Sequence, residues 1–349
     1  MPSRKLPRRA GRPAGLFLLL LLSIVLLIVV AAGVATLLSP AATDQSTRTV
    51  LVTVPPGANA RSIGALLERR GVVRHGMGFV LAARLEHVAG KMRAGHYELS
   101  PAMPPRQIAL LIALGRTATD VVVIPEGFTV AQIARRLAQN HLVSESTFLA
   151  LAQSQGRTFH VHGFQPPSDS LEGYLFPDTY QVPKNATARD IIIQMLANFH
   201  ARALADNEAA LPQFPGGLPA AVTLASLVER EAETDADRPL IAAVLRNRLA
   251  RGMRLQCDAS IQYVLPQHKS RLFFADLRVN SPYNTYLHAG LPPGPICCPG
   301  RASLDAALHP ASSDALFYVA RPDGSHIFTR TLAEHDRAIA ALRASGARD

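Results

Sequence analysis

Apolar residues run without a charge from Gly15 to Leu38, then recur only in short bursts spaced like strands and helices. As a helix these 24 residues would reach about 36 Å, more than the roughly 30 Å hydrocarbon core of a bilayer. A cleaved signal peptide has an apolar core of only about 7–15 residues, so an uncleaved anchor over 14–38 is predicted. Residues 39–49 are small and polar and read as a linker. Beyond it the pattern repeats. The stretch "VTVPPGANARSIGALLERRGVV" from Val52 aligns without a gap on "VVIPEGFTVAQIARRLAQNHLV" from Val122, at an offset of 70. Val52 falls on Val122, Pro55 on Pro125, Gly57 on Gly127, Ile63 on Ile133, Leu67 on Leu137 and Val73 on Val143. Each copy predicts a β-rich run, a Pro/Gly turn and an amphipathic helix.

From about Arg157 the character changes. A helix is predicted over 187–206, with Ile191, Ile192, Met195, Leu196 and Phe199 on its apolar face. Pro219 and Pro239 are placed to open two more, over 218–233 and 238–253. Turn-rich segments and a short strand pattern, "LFYVA" at 316–320, follow. The expectation is an α+β chain: basic tail 1–13, transmembrane anchor 14–38, linker 39–49, a βα module at 50–118, a second βα repeat at 119–155 bracing a mixed α+β catalytic domain at 156–345. The start of the first module is similar to LysM-type glycan-binding modules.

Charge changes the picture only near the N-terminus. The net charge is +10, but Arg4, Lys5, Arg8, Arg9 and Arg12 supply half of it. A basic flank before an apolar run places the N-terminus in the cytoplasm and the rest outside, in the periplasm or wall space. No nucleic-acid-binding motif is present. The three cysteines, Cys257, Cys297 and Cys298, match neither a zinc spacing nor a disulfide framework, and "HVH" at 160–162 has no companion ligands. No metal or cofactor is expected. A bond between Cys257 and Cys297 or Cys298 stays open.

Candidate chemistry centres on "SLVEREAE". At about 100° per residue Glu229 and Glu233 share a face with Val222, Ala225 and Ser226, whereas Glu231 points nearly away. Glu229 thus sits where an apolar face meets a polar helix end, which suits a general acid; the same pattern also suits an exposed Glu/Arg cluster. "LEGYLFPDTY" surrounds Glu172 and Asp178 with aromatic residues and contains Tyr180. "RLQCDASIQY" and "SPYNTYLHAGLPPGPICCPG" are rich in Tyr, Asn, Gln, Pro and Gly, as in rigid site walls suited to a sugar with N-acetyl groups.

These stretches, followed by "SLDAALHP" and "LFYVARPDGSHIFTRTLAEH", occur in an order and spacing that resemble the membrane-bound endolytic murein transglycosylases, the YceG-like family, over about residues 50–340. The resemblance implies cleavage of the MurNAc-β-1,4-GlcNAc bond in nascent peptidoglycan strands without water, leaving a 1,6-anhydro-MurNAc end and terminating strand growth. It implies one glutamate as acid and base, at Glu229. Substrate-binding or supporting roles are expected for Glu172, Tyr180, Ser226, Gln256, Asp258, Tyr283, Asn284 and Tyr286. Implied partners are glycan strands, the inner membrane and peptidoglycan synthases, with no nucleic acid. Cys257, Cys298 and "DASI" depart from the family's usual residues. The alternatives are an inactive anchored glycan-binding scaffold and a metal-dependent hydrolase.

Overall fold

In the computed structural model the described residues are 14–42, 49–207 and 209–345. The basic tail and most of the linker, residues 43–48, lie outside them. Helix α1 (Ala14–Leu38) has no charged residue in its first or last turn. Its span from Phe17 to Leu38 has a mean hydropathy of 3.2, and none of its most apolar stretch is buried. Only its C-terminal end meets the helix Gly76–Leu85, where Leu37 lies against Gly78. It is long and apolar enough to cross a membrane.

The chain folds into two compact units. The first ends at Thr119 and takes back Pro183–Asn185; the second holds Asp120–Val182 and everything from Ala186. In the first, β1 (Val50–Val54), α2 (Ala60–Arg69), α3 (Gly76–Leu85), β2 (Gly95–Leu99) and α4 (Pro105–Leu114) follow in order. β1 and β2 are antiparallel, with Val52 opposite Tyr97. Val52, Ile63, Leu67, Tyr97, Ile108 and Ile112 are fully buried in its core, each worth about 1.5–3 kcal/mol.

Strand β3 (Thr119–Ile124) leads into the second unit, and α5 (Val130–Gln139) and α6 (Glu145–Ser154) follow. The repeat is real at the level of elements: α5 begins and ends 70 residues after α2. Asn59 and Thr129 cap the two helices by accepting from backbone N–H groups. Both turns need glycine, since Gly57 and Gly127 have φ of 75°.

β4 (Asp178–Pro183) pairs with β3, and α7 (Ala188–Phe199) follows. At the centre lies α8 (Gly217–Glu231), where Ala221 to Val228 are buried on every side. A helix apolar all round is a core helix, and only its polar end can carry chemistry. It packs against α9 (Arg238–Ala250), α10 (Asp258–Val264) and α11 (Arg301–Leu308). The antiparallel hairpin β5 (Phe317–Ala320) and β6 (His326–Thr329) and helix α12 (Leu332–Ala344) complete the unit. The architecture is mixed α+β.

Candidate active site

The last turn of α8 sends two carboxylates into different surroundings. Glu229 enters a closed network. One of its oxygens lies 3.5 Å from Arg238 Nη1, and the other accepts from the Gly300 N–H at 3.0 Å. Its side chain is 7% exposed. Arg238 also donates to Ser303 Oγ at 2.9 Å and to Asp235 at 3.0 Å. Gly127 covers Glu229 Cγ, and the Glu126 carboxylate rests on Gly300. Burial, and then the neighbouring Glu229 charge, pushes the Glu126 carboxyl up, with Arg238 opposing. Two backbone bonds hold this arrangement: Gly127 N–H to Cys298 O and Cys298 N–H to Phe128 O.

Glu231 faces open space. It stands on the wall of a cavity of about 390 Å³ beside Arg230, Asp258, Gln262, Tyr318 and His326. The Tyr318 hydroxyl donates to Oε2 at 3.0 Å, and the Ala259 N–H points at Oε1 from 3.4 Å. Burial pushes the Glu231 carboxyl above its ordinary value. The Tyr318 and Ala259 bonds and His326 work against that, while Asp258 adds to it. A carboxyl that burial makes hold its proton more tightly, on the wall of an open cavity, is suited to donate that proton.

The cavity is the middle of a groove. Through Arg230, Ala259 and Gln262 it adjoins a cleft of about 810 Å³ walled by Glu172, Tyr263 and Tyr283. Through Asp258, Gln262, Val319 and Ala320 it adjoins another of about 1100 Å³. Glu172 and Tyr283 also border a small pocket of about 150 Å³ lined by Pro293, Gly294 and Pro295. A groove of linked cavities with a carboxyl part-way along it suits a linear polymer gripped on both sides of the reacting bond.

The other expected residues divide between groove and frame. Glu172 is 9% exposed. It accepts from the Val130 N–H at 3.0 Å, with the Tyr263 hydroxyl at 3.5 Å and the Cys298 thiol at 3.9 Å. Burial drives its carboxyl up to about 8, these donors pulling the other way. Tyr283 lies against Tyr263, ring centroids 5.1 Å apart. Tyr286 donates to Asp258, which borders the groove.

Ser226, Asn284, Gln256 and Tyr180 do frame work. Ser226 Oγ donates to Thr223 O and accepts from the Ile296 N–H, stitching the "ICCPG" segment to α8. Asn284 Nδ2 donates to Leu277 O and Val279 O, shaping the tyrosine loop from within. Gln256 occupies the left-handed region at φ 53° and accepts from Arg248. Tyr180 is buried and donates to Phe176 O. Asp178 accepts from Asn198 and pairs with Arg202. The three cysteines are free and buried.

Glu126, Arg238, Tyr318, Asp237 and His326 escaped the sequence reading. "IPEGF" and "DGSHIF" were visible, but no spacing rule brings Glu126, Tyr318 or His326, all distant in the chain, onto the end of α8.

Comparison with known proteins places the chain in a family. A family model described as the YceG-like family matches residues 52–341. The chain belongs to the YceG-like family. A relative named endolytic murein transglycosylase, from Bacillus subtilis strain 168, is 31% identical over 315 residues, covering 87% of each chain. One of the same name from Streptococcus pneumoniae strain D39 is 32% identical over 326 residues. That match covers 84% of this chain and 58% of the pneumococcal one. The 2.6 Å crystal structure of a putative YceG-like protein from Listeria monocytogenes is 33% identical, with a TM-score of 0.56. It covers 84% of this chain and all of the solved one. Apart from Leu342 and Arg343 at its far end, the residues lining the groove of this YceG-like chain lie within the matched region.

Proposed function

We propose that this chain is an endolytic peptidoglycan transglycosylase, held at the inner membrane by α1 with its folded units outside. The relatives' names and the family match support the activity; the carrying observation is Glu231, part-buried, its carboxyl pushed above its ordinary value by burial, on the wall of the middle cavity of an extended groove. In this reading a glycan strand lies along the groove, and sugars on both sides of the cleaved bond are held, as internal cleavage requires. Glu231 gives its proton to the glycosidic oxygen as the MurNAc C1–oxygen bond breaks. The C6 hydroxyl then closes on C1, giving the 1,6-anhydro end, so a second carboxylate to activate water is not needed. Cleaving a nascent strand in this way would end its growth, with peptidoglycan synthases as its neighbours. The first unit, with its strand–helix–helix–strand order, serves as a LysM-like glycan contact.

In this reading the acid is Glu231 rather than Glu229, and the surroundings of the two side chains support it. The helical wheel correctly sets the two on different faces. Glu229 is the one committed elsewhere, to Arg238 and the Gly300 N–H, and it borders none of the four cavities. It fastens α11 and the "ICCPG" segment to α8.

The test is to incubate each variant with uncrosslinked glycan strands and count anhydro-ended products by mass spectrometry; hydrolysis would add the mass of water. Glu231→Gln should lower turnover by at least about 10²-fold with the fold intact. Glu229→Gln should lose stability, while its folded fraction keeps turnover within about tenfold of wild type, well short of the 10²-fold loss of an acid–base group. The reverse pattern would return the role to Glu229. No products from wild type would leave the glycan-binding scaffold.

A further inference from the structure

In the mechanism above Glu231 has to serve the leaving oxygen and the incoming hydroxyl in turn. Beside it stands an aspartate–histidine pair that the mechanism does not use. His326 opens β6, and its Nδ1 lies 2.9 Å from Asp237 Oδ2, in the turn before α9. Their side chains are 4% and 10% exposed. A carboxylate accepting at Nδ1 places the ring proton there and leaves the lone pair on Nε2. This tautomer follows from the hydrogen-bond network. Nε2 has no hydrogen-bond partner among the described residues, and His326 borders the same cavity as Glu231.

Tyr318 fixes the two groups together. Its ring meets the imidazole edge-on, with centroids 5.5 Å apart and planes at 84°, and its hydroxyl holds Glu231 Oε2 at 3.0 Å. Burial keeps that hydroxyl protonated, so it donates. The charged and titratable groups facing His326 are therefore Asp237 before α9, Glu231 at the end of α8, Tyr318 on β5 and Arg321, whose Nη1 donates to the His326 carbonyl at 3.1 Å. Across the cavity stand Arg230 and Glu233 around the end of α8, Asp258 on α10, His268 beyond it and His335 on α12.

We propose that His326, oriented by Asp237, is a second catalytic group of this site, its Nε2 taking the proton of the C6 hydroxyl as O6 bonds to C1. This rests on the transglycosylase reading and divides its proton work between two groups. Glu231 supplies a proton to the departing oxygen as that bond breaks and is left as a carboxylate. The C6 hydroxyl loses its proton to His326, which becomes imidazolium. Transfer of that proton to Glu231, directly or through one water, restores both groups. No atom is gained or lost beyond the substrate's own. The Asp237 carboxylate holds the ring orientation and stabilises the imidazolium while it lasts.

The experiment measures turnover of the full chain in detergent, on uncrosslinked glycan strands, from pH 5 to 8. In wild type a rising limb is expected in this range, because imidazole must be neutral to accept and imidazoles titrate there. His326→Gln should lose about 10²-fold in turnover and flatten that limb, with its circular dichroism unchanged. Asp237→Asn removes the neighbouring negative charge, which makes the imidazolium easier to deprotonate, so the limb should move to lower pH. A folded His326→Gln with a wild-type-shaped profile and more than about a tenth of wild-type turnover, against the 10²-fold loss expected, overturns the proposal. If His326→Gln does not fold, an unmoved limb in Asp237→Asn overturns it and a shifted one supports it. If neither variant folds, the wild-type profile decides: a rising limb supports the role of His326 and its absence overturns it. Wild-type anhydro ends that vanish in Glu231→Gln but persist in His326→Gln sink only this inference; anhydro ends that persist in Glu231→Gln sink the reading beneath it.

Discussion

Glu172 shows at the scale of one residue what burial does to a carboxyl. Its value rises from 4.5 to about 8 because it is shut away from water more completely than its three donors repay. The consequence for stability has a definite sign. Below pH 4.5 folded and unfolded chains both hold the proton, and the contribution of the neutral group is complete. Between 4.5 and about 8 the unfolded chain has released it and the fold has not, so stability falls as pH rises. The slope is at most about 1.4 kcal/mol per pH unit, and above the folded value the penalty stays constant. Glu172→Gln has nothing to titrate. Its urea midpoint should therefore gain on wild type between pH 5 and 8. A wild-type-to-variant difference that stays flat over this range would show that Glu172 is ionised in the fold.

At the scale of elements, the site depends on how closely the "LEGY" turn approaches α8. Gly173 has φ +88°, and a Cβ there would lie 2.6 Å from Pro295 and 2.8 Å from Val222 Cγ1. That closeness lets Glu172 reach both the first turn of α5 and the groove. Gly173→Ala carries two costs, about 1–2 kcal/mol for a left-handed non-glycine residue and about 1–3 kcal/mol for overpacking. A thermal unfolding midpoint lower by several degrees is expected. A midpoint within one degree of wild type would mean that the turn relaxes at no cost.

At the scale of the whole molecule, α1 is the one described helix of membrane-spanning length and apolarity. In the proposed function α1 is retained as an anchor. The protein purified from the membrane fraction should therefore begin upstream of α1 by N-terminal sequencing. A mature chain starting near Ala41 or Ala42 would show that the segment is cleaved.

Hydrophobic spacing by itself determined the long apolar helix α1, the 70-residue repeat with its matching helix bounds, and α8 as the helix that bears the candidate acid. Those are local properties, since helical and strand periods are written into neighbouring residues. It also placed Glu229 and Glu231 on different faces. Which face meets the groove is not a local property. α10 and β5 pack beside Glu231 and leave a cavity there, whereas Gly300, Arg238 and the Gly127 turn close over Glu229. The apolar face that marked Glu229 as desolvated was the cue for a buried ion pair, and the face read as pointing away holds the open carboxyl. Asp237, Tyr318 and His326 reach Glu231 only because the β5–β6 hairpin folds back onto the end of α8, and no period within any one segment encodes that return.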